Sequence, residues 1–248
     1  MLQEQQRKDV LLPEVNKKLK NISYDSPVMK INVVVDKLPK FKCLKTIANS
    51  DYDGDHYNEV VARNYLTGTN HLNSDTYKVI QDAFNDAQVG KASTKPIIEM
   101  TIPSILDKTL VPKNSGHHTI GLFVQYVPYI LSNDTWNDDK KRNYANIVYN
   151  EIEEYCPGFK DSIIFQDILT PRDLEKQFSL TGGNIFHGAM DLSSIFFCRP
   201  IINGSSYKDQ SFTNLYSCSS GMHPGGGVMG APGRNCAKQV IRSFDKKL

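Results

Sequence analysis

What this 248-residue sequence lacks narrows its options first. It has no apolar run of the roughly 18 residues that a membrane-spanning helix needs. The longest candidate, residues 120–131, is interrupted by Gln125 and Pro128 and reads as buried strand. Nor is there an excess of charge of one sign. Its 29 basic and 27 acidic residues leave a net charge of +2, which gives no electrostatic case for a nucleic-acid partner. The local clusters Lys17, Lys18, Lys20 and Lys37, Lys40, Lys42, Lys45 lack the interleaved aromatics of a strand-binding surface and read as solvated faces. The first residues have no apolar segment of the secretory kind. Five cysteines (Cys43, Cys156, Cys198, Cys218, Cys236) are scattered, and no two stand at the C-x-x-C spacing of a redox dithiol or zinc knuckle. They read as reduced thiols, mostly buried.

The composition is otherwise that of a chain able to bury a core, with 40% apolar residues. Residues 11–19 read as a helix with Pro13 in its first turn. Residues 28–35 read as a strand, since Ile31-Asn32-Val33-Val34-Val35 is rich in β-branched side chains. Polar residues 45–70 read as loop, with a D-x-D-G-D turn at Asp51 to Asp55 that lacks the glutamate of a calcium loop. A helix over residues 75–86 is predicted from Tyr77, Ile80, Phe84 and Ala87. Strands follow over 97–105 and 119–129, the second alternating through Ile120, Leu122, Val124 and Tyr126. Phe123, Tyr126 and Tyr129 suit the core of that strand, and the pair His117-His118 reads as exposed loop. The spacing of Tyr144, Ile147, Val148 and Ile152 predicts a helix over 138–155. A strand over 163–169 and a short helix over 171–178, capped by Thr170, come next.

From Gly182 onward glycine, serine and other small residues dominate, broken by short strand candidates at 194–198 and 214–217. The fold class this implies is α+β: an antiparallel sheet with helices, then a compact glycine-rich ending. The expected divisions are a helical segment over 1–27, a sheet-and-helix region over 28–180 and a final region over 181–248.

The strongest chemical signal is the run from Leu215 to Ala237, whose centre is Ser219-Ser220-Gly221-Met222-His223-Pro224-Gly225-Gly226-Gly227-Val228-Met229. A short strand enters a loop of small residues, and a helix is expected to open near Val228. Glycines let a ligand approach the backbone, and a helix start presents unpaired N–H groups to anionic oxygens. Residues 225–230 match a bare G-x-G-x-x-G. Only residues 231–248 follow, however, too few for the second strand that a dinucleotide βαβ unit requires.

The run 218–235 resembles the closing signature of the phytoene desaturase and carotene isomerase-like flavoproteins. The stretches Leu180-Thr181-Gly182-Gly183-Asn184-Ile185-Phe186-His187-Gly188-Ala189-Met190, Ile195 to Pro200, Pro157 to Ser162 and Asp167 to Pro171 resemble the same family, so the likeness extends from Lys30 to Asn235. It implies that the chain is the C-terminal portion of an FAD-dependent oxidoreductase: a substrate-domain sheet and helices, then a return to the FAD-binding domain. FAD would lie against Ser219, Ser220, Gly221, His223, Pro224, Gly225, Gly226, Gly227, Val228 and Met229. Ser219 departs from the glycine common in the family, and Pro232 is tolerable only in the first turn of the last helix.

The same resemblance implies hydride transfer with an organic, apolar small-molecule substrate, a mitochondrial matrix location and a protein partner there. His223 and His187 are the candidate acid–base residues, since a histidine can move protons near neutral pH. Arg199 is either a salt-bridged structural residue or a ligand contact. An alternative from another class is a non-catalytic binding or regulatory module, because the N-terminal dinucleotide-binding half is not in the sequence.

Overall fold

The structure is a computed structural model that describes residues 12–25, 28–45, 60–202, 204, 206–212 and 214–245. The Asp51 to Asp55 turn lies outside the described residues. The chain divides into two compact units, Ser26–Ser179 and Met1–Asp25 with Leu180–Leu248.

The first unit is built on a five-stranded sheet. Its strands are β1 (Met29–Val35), β2 (Asn70–Leu72), β3 (Ile97–Thr101), β4 (His118–Gln125) and β5 (Ile163–Leu169), in the order β2-β3-β4-β1-β5. Every neighbouring pair is antiparallel, and Ile31 stands opposite both Leu122 and Ile168. Alternation puts Met29, Ile31, Val33 and Val35 on the same buried face as Ile98, Met100, Ile120, Leu122 and Val124. The helix Asp138–Tyr155 covers this core with Tyr144, Ala145, Val148, Tyr149 and Ile152. Each such side chain, once buried, contributes about 1.5–3 kcal/mol against the cost of ordering the chain.

Counting helices in chain order, α1 is Pro13–Lys20, α2 Val60–Tyr65, α3 Tyr77–Gln88, α4 Asp138–Tyr155, α5 Pro171–Phe178 and α6 Ala231–Asp245. Local chemistry sets their starts. Asn137 accepts a hydrogen bond from the Lys140 amide at 2.9 Å, and Thr170 and Asp173 form a reciprocal capping box. The fold class is therefore α+β, as the sequence predicts. Among the described residues no helix is long and apolar enough to cross a membrane.

Several expectations in this unit need correction. The polar stretch before Asn70 holds α2 rather than loop alone. β3 stops at Thr101, because Pro103 lacks an N–H for the ladder, and residues 103–105 wind into a 3₁₀ turn. β4 begins at His118, so that histidine is a half-buried strand residue bonded to Ser104 Oγ rather than an exposed loop residue. Tyr77 is 78% exposed, and the inner face of α3 is centred on Ala83 instead. The predicted core aromatics Phe123, Tyr126 and Tyr129 are only half-buried. Phe123 faces away from the core, Tyr126 meets Phe84 edge to face, and the Tyr129 hydroxyl binds Glu175.

The second unit contains α1, α6 and a long path between residues 180 and 230 that has no strand among its described residues. The two strand candidates there are not strands. Residues 196–198 form a 3₁₀ turn, and Tyr216 makes a single bridge to Lys208. With no partner ladder nearby, these short apolar segments take turn geometry and find other partners for their backbone groups. The local apolar cluster is small: Tyr207, Met222 and Cys236, with Tyr216 and Val240 against it.

Candidate functional site

Three polar side chains organise the glycine-rich path. Arg199 is the first and is 2% exposed. Its Nη2 donates to the carbonyls of Phe186 and Ser220, its Nη1 to those of Gly188 and Ala189, and its Nε also reaches Ser220. The rigid fork of a guanidinium suits this convergence of carbonyls, and a lysine could not span them. Burial lowers the Arg199 pKa from its ordinary value, yet the group stays charged. No carboxylate pairs with it among the described residues, so the expected salt bridge is replaced by main-chain acceptors.

Asn184 is the second. Its amide nitrogen donates to the Asp25 carbonyl at 2.9 Å, while its oxygen accepts from the amides of Phe186 at 2.9 Å and Gly188 at 3.3 Å. Tyr207 is the third. Its hydroxyl donates to the His223 carbonyl and accepts from Asn235 Nδ2 at 3.0 Å, and its own carbonyl accepts from the Ser217 amide at 2.8 Å. Together they fix the two arms of the run 217–235.

Within that run the glycines fall into two groups. Gly225, at φ 111°, passes so close to Met190 that a Cβ would stand 2.7 Å from its sulfur. A Cβ on Gly226 would collide with the Phe186 ring. These two glycines are therefore filled by the protein itself. Residues 227–230 differ, because all four are exposed. Gly227 and Gly230 have positive φ, Val228 is held at φ 55° with its side chain fully exposed, and Met229 is 55% exposed. The last helix does not open near Val228. It starts at Ala231, because Val228 and Gly230 are left-handed and cannot continue a right-handed helix. Pro232 falls in the first turn, where its missing N–H costs nothing.

Ser219 and Ser220 begin the run, and the Ser219 hydroxyl accepts from the Gly221 amide at 3.2 Å. Gly221 packs on His187, which lines a cleft of about 260 Å³ together with Lys18, Asp191, Cys198 and Arg199. His223 and Pro224 are half-buried and do not line that cleft. The His223 Nδ1 is buried without a hydrogen-bond partner among the described residues. The structure thus brings His187 and Gly221 to one cleft and sets His223 apart from it. Asn184 and Tyr207 escaped sequence reasoning, since a hydrogen-bonding hub leaves no periodic signal. Among the described residues no group of acidic, histidine and cysteine side chains could hold a metal ion.

An exposed arc of small and apolar residues leading into free helix N–H groups suits a ligand with an anionic linker and a flat apolar part. The arc 221–226, buried or half-buried throughout, offers shape and rigidity rather than direct contact.

No protein-family model matches the chain. The chain is similar to the mouse pyridine nucleotide-disulfide oxidoreductase domain-containing protein 2, at 46% identity over 229 residues, which cover 92% of the chain and 37% of the mouse protein. The rat protein of the same name is 45% identical over the same shares. A 4,4'-diapophytoene desaturase (4,4'-diaponeurosporene-forming) from Staphylococcus haemolyticus is 28% identical over 154 residues, 60% of the chain and 28% of that protein. The chain spans little more than a third of the length of the first two relatives. Across nearly all of its own length the chain is thus similar to pyridine nucleotide-disulfide oxidoreductase domain-containing protein 2, and over 60% of it to a diapophytoene desaturase.

Proposed function

We propose that the chain supplies one wall of an FAD site in an oxidoreductase that exchanges hydride with an organic, apolar substrate. The observation that carries this reading is the exposed arc Gly227–Gly230 running into the start of α6. Two positive-φ glycines bracket Val228 and Met229 there, so a planar apolar ring can rest on side chains whose backbone offers little bulk. In the first turn of α6 the amides of Ala231 and Gly233 precede the first helical hydrogen bond, made by Arg234 to Gly230, and suit a pyrophosphate or a carbonyl oxygen. The relatives' names support a redox role, and one of them is a desaturase.

When bound, FAD supplies the hydride chemistry, and the protein orients it. This chain's residues do the positioning. Arg199 and Tyr207 hold the two arms of the run, and Gly225 and Gly226 let it pack close on Met190 and Phe186. His223 is the acid–base candidate nearest the arc, with an unpaired Nδ1, and His187 is the candidate on the cleft. A mitochondrial setting is part of the same proposal and rests on family resemblance.

The test is a titration of FAD into the purified chain, followed by flavin fluorescence and visible absorbance, beside the Val228→Asp variant. A saturable, quenched flavin signal, weakened at least tenfold by placing a charge against the ring, is the expected result. A folded, colourless chain that leaves FAD unquenched would overturn it and leave the non-catalytic module as the better reading.

A further inference from the structure

Cys218 and Cys236 stand at opposite ends of the glycine-rich run, and sequence spacing gives no reason to pair them. The fold does. Tyr207 anchors both neighbourhoods: its carbonyl accepts from the Ser217 amide at 2.8 Å, and its hydroxyl accepts from the Asn235 side chain at 3.0 Å. The residues that follow these two are the cysteines, and the Cys218 thiol stands close enough to Cys236 to help raise its pKa. Their environments are unlike. Cys218 is exposed, whereas Cys236 is buried in the cluster of Tyr207 and Met222.

We propose that Cys218 and Cys236 are a hydroperoxide-oxidisable pair that closes a reversible disulfide across the base of the run 219–235. Access decides the order. Oxidants meet the exposed Cys218 sulfur first, since a thiolate reacts with peroxide only where peroxide can reach it. Burial, and next the neighbouring Cys218 thiol, raises the Cys236 pKa and keeps that group protonated and unreactive until its neighbour changes.

The chemistry balances. The Cys218 thiolate attacks one oxygen of a hydroperoxide, the O–O bond breaks, and the products are Cys218 sulfenic acid and an alcohol, or water when hydrogen peroxide is the oxidant. The Cys236 sulfur then attacks the Cys218 sulfur and an S–S bond forms. The sulfenic hydroxyl leaves with the Cys236 proton as a second water. Two thiols are oxidised by two electrons, and the peroxide is reduced by two.

The sequence favours a clean assay. Trypsin cuts after Lys208, Arg234 and Lys238, so the two cysteines fall in the separate peptides 209–234 and 235–238. The reduced chain, with no flavin added, is treated with hydrogen peroxide, alkylated and mapped by mass spectrometry. The expected product is a cross-link between those two peptides that disappears on adding a thiol reductant. In Cys236→Ser the cross-link is lost, and dimedone traps sulfenic acid on Cys218. In Cys218→Ser, oxidation of Cys236 slows by roughly tenfold or more, because its only activated partner is gone. Failure of the unmutated chain to form the cross-link while Cys218 proceeds to sulfinic acid would overturn the proposal. So would equal oxidation of Cys236 with and without Cys218. Because flavin is absent, neither outcome depends on the FAD reading.

Discussion

In the unit Ser26–Ser179 the large buried side chains are apolar, and they come from alternate positions of adjacent strands: Met29, Ile31 and Val33 beside Ile98, Met100, Ile120 and Leu122. In the other unit the largest fully buried side chain is Arg199, and its partners are carbonyls rather than apolar groups. The first unit is held by area removed from water, which tolerates small shifts of any single group. The second relies on a few directional hubs, where one missing donor strands several buried acceptors. A sheet core and a glycine-rich loop are thus stabilised by different physics within one chain.

The sharpest way to break this comparison is to remove one hub and one core side chain. Arg199→Ala should cost about 3–5 kcal/mol, because it strips the carbonyls of Phe186, Gly188 and Ser220 of their donors and leaves that of Ala189 with the Ser194 hydroxyl alone. Hydrogen exchange should report the loss first at amides 184–190 and 218–225. Arg199→Lys should recover little of it, since an ammonium lacks the fork. Leu122→Ala should cost about 2–5 kcal/mol by opening a cavity, with exchange rising along β1 and β4 instead. If both substitutions loosen the same amides, the contrast between the units fails.

A smaller effect sharpens the same contrast from the helix side. Thr170→Ala removes the hydroxyl half of the α5 capping box, leaving the bond from the residue-170 amide to Asp173, and should cost about 1 kcal/mol in denaturant unfolding, with Thr170→Ser restoring most of it. The smallest concerns pH. Burial, then the charges of Lys108 and His117, lowers the His118 pKa below its ordinary value of 6.5. A group depressed on folding stabilises fully above its unfolded pKa, and that contribution is lost as pH falls through the folded value. Stability of the sheet unit should therefore decline as pH drops below about 6.5, and His118→Gln should flatten that part of the profile. A variant that keeps the full slope would show that His118 is not its source.

The same contrast explains how much could be read in advance. Apolar periodicity located α4, because burial on one face imposes its period on the sequence, and β-branched content located β1 to within a residue. Thr170 and Pro171 marked the start of α5 by their own chemistry. Periodicity failed where it had no ladder to express. Residues 194–198 and 214–217 have strand-like composition, yet nothing beside them offers a ladder. Glycine content did mark the candidate site, but not which glycines face outward. Gly225 and Gly226 are spaced like ligand-facing positions and are occupied by Met190 and Phe186. Only the three-dimensional path separates them from Gly227 and Gly230. The thiol pair was hidden for a related reason: Cys218 and Cys236 meet through Tyr207, and no spacing rule encodes a third residue.

Arg199 also bears on how this part of the chain can change over time. Every acceptor it uses is a main-chain carbonyl, so the side chains at Ala189 and Ser220 take no part in what it recognises. Those positions can drift among residues of similar size while the arginine cannot. Homologues should therefore diverge around position 199 and keep the same loop path, with a single residue acting as the memory of that path.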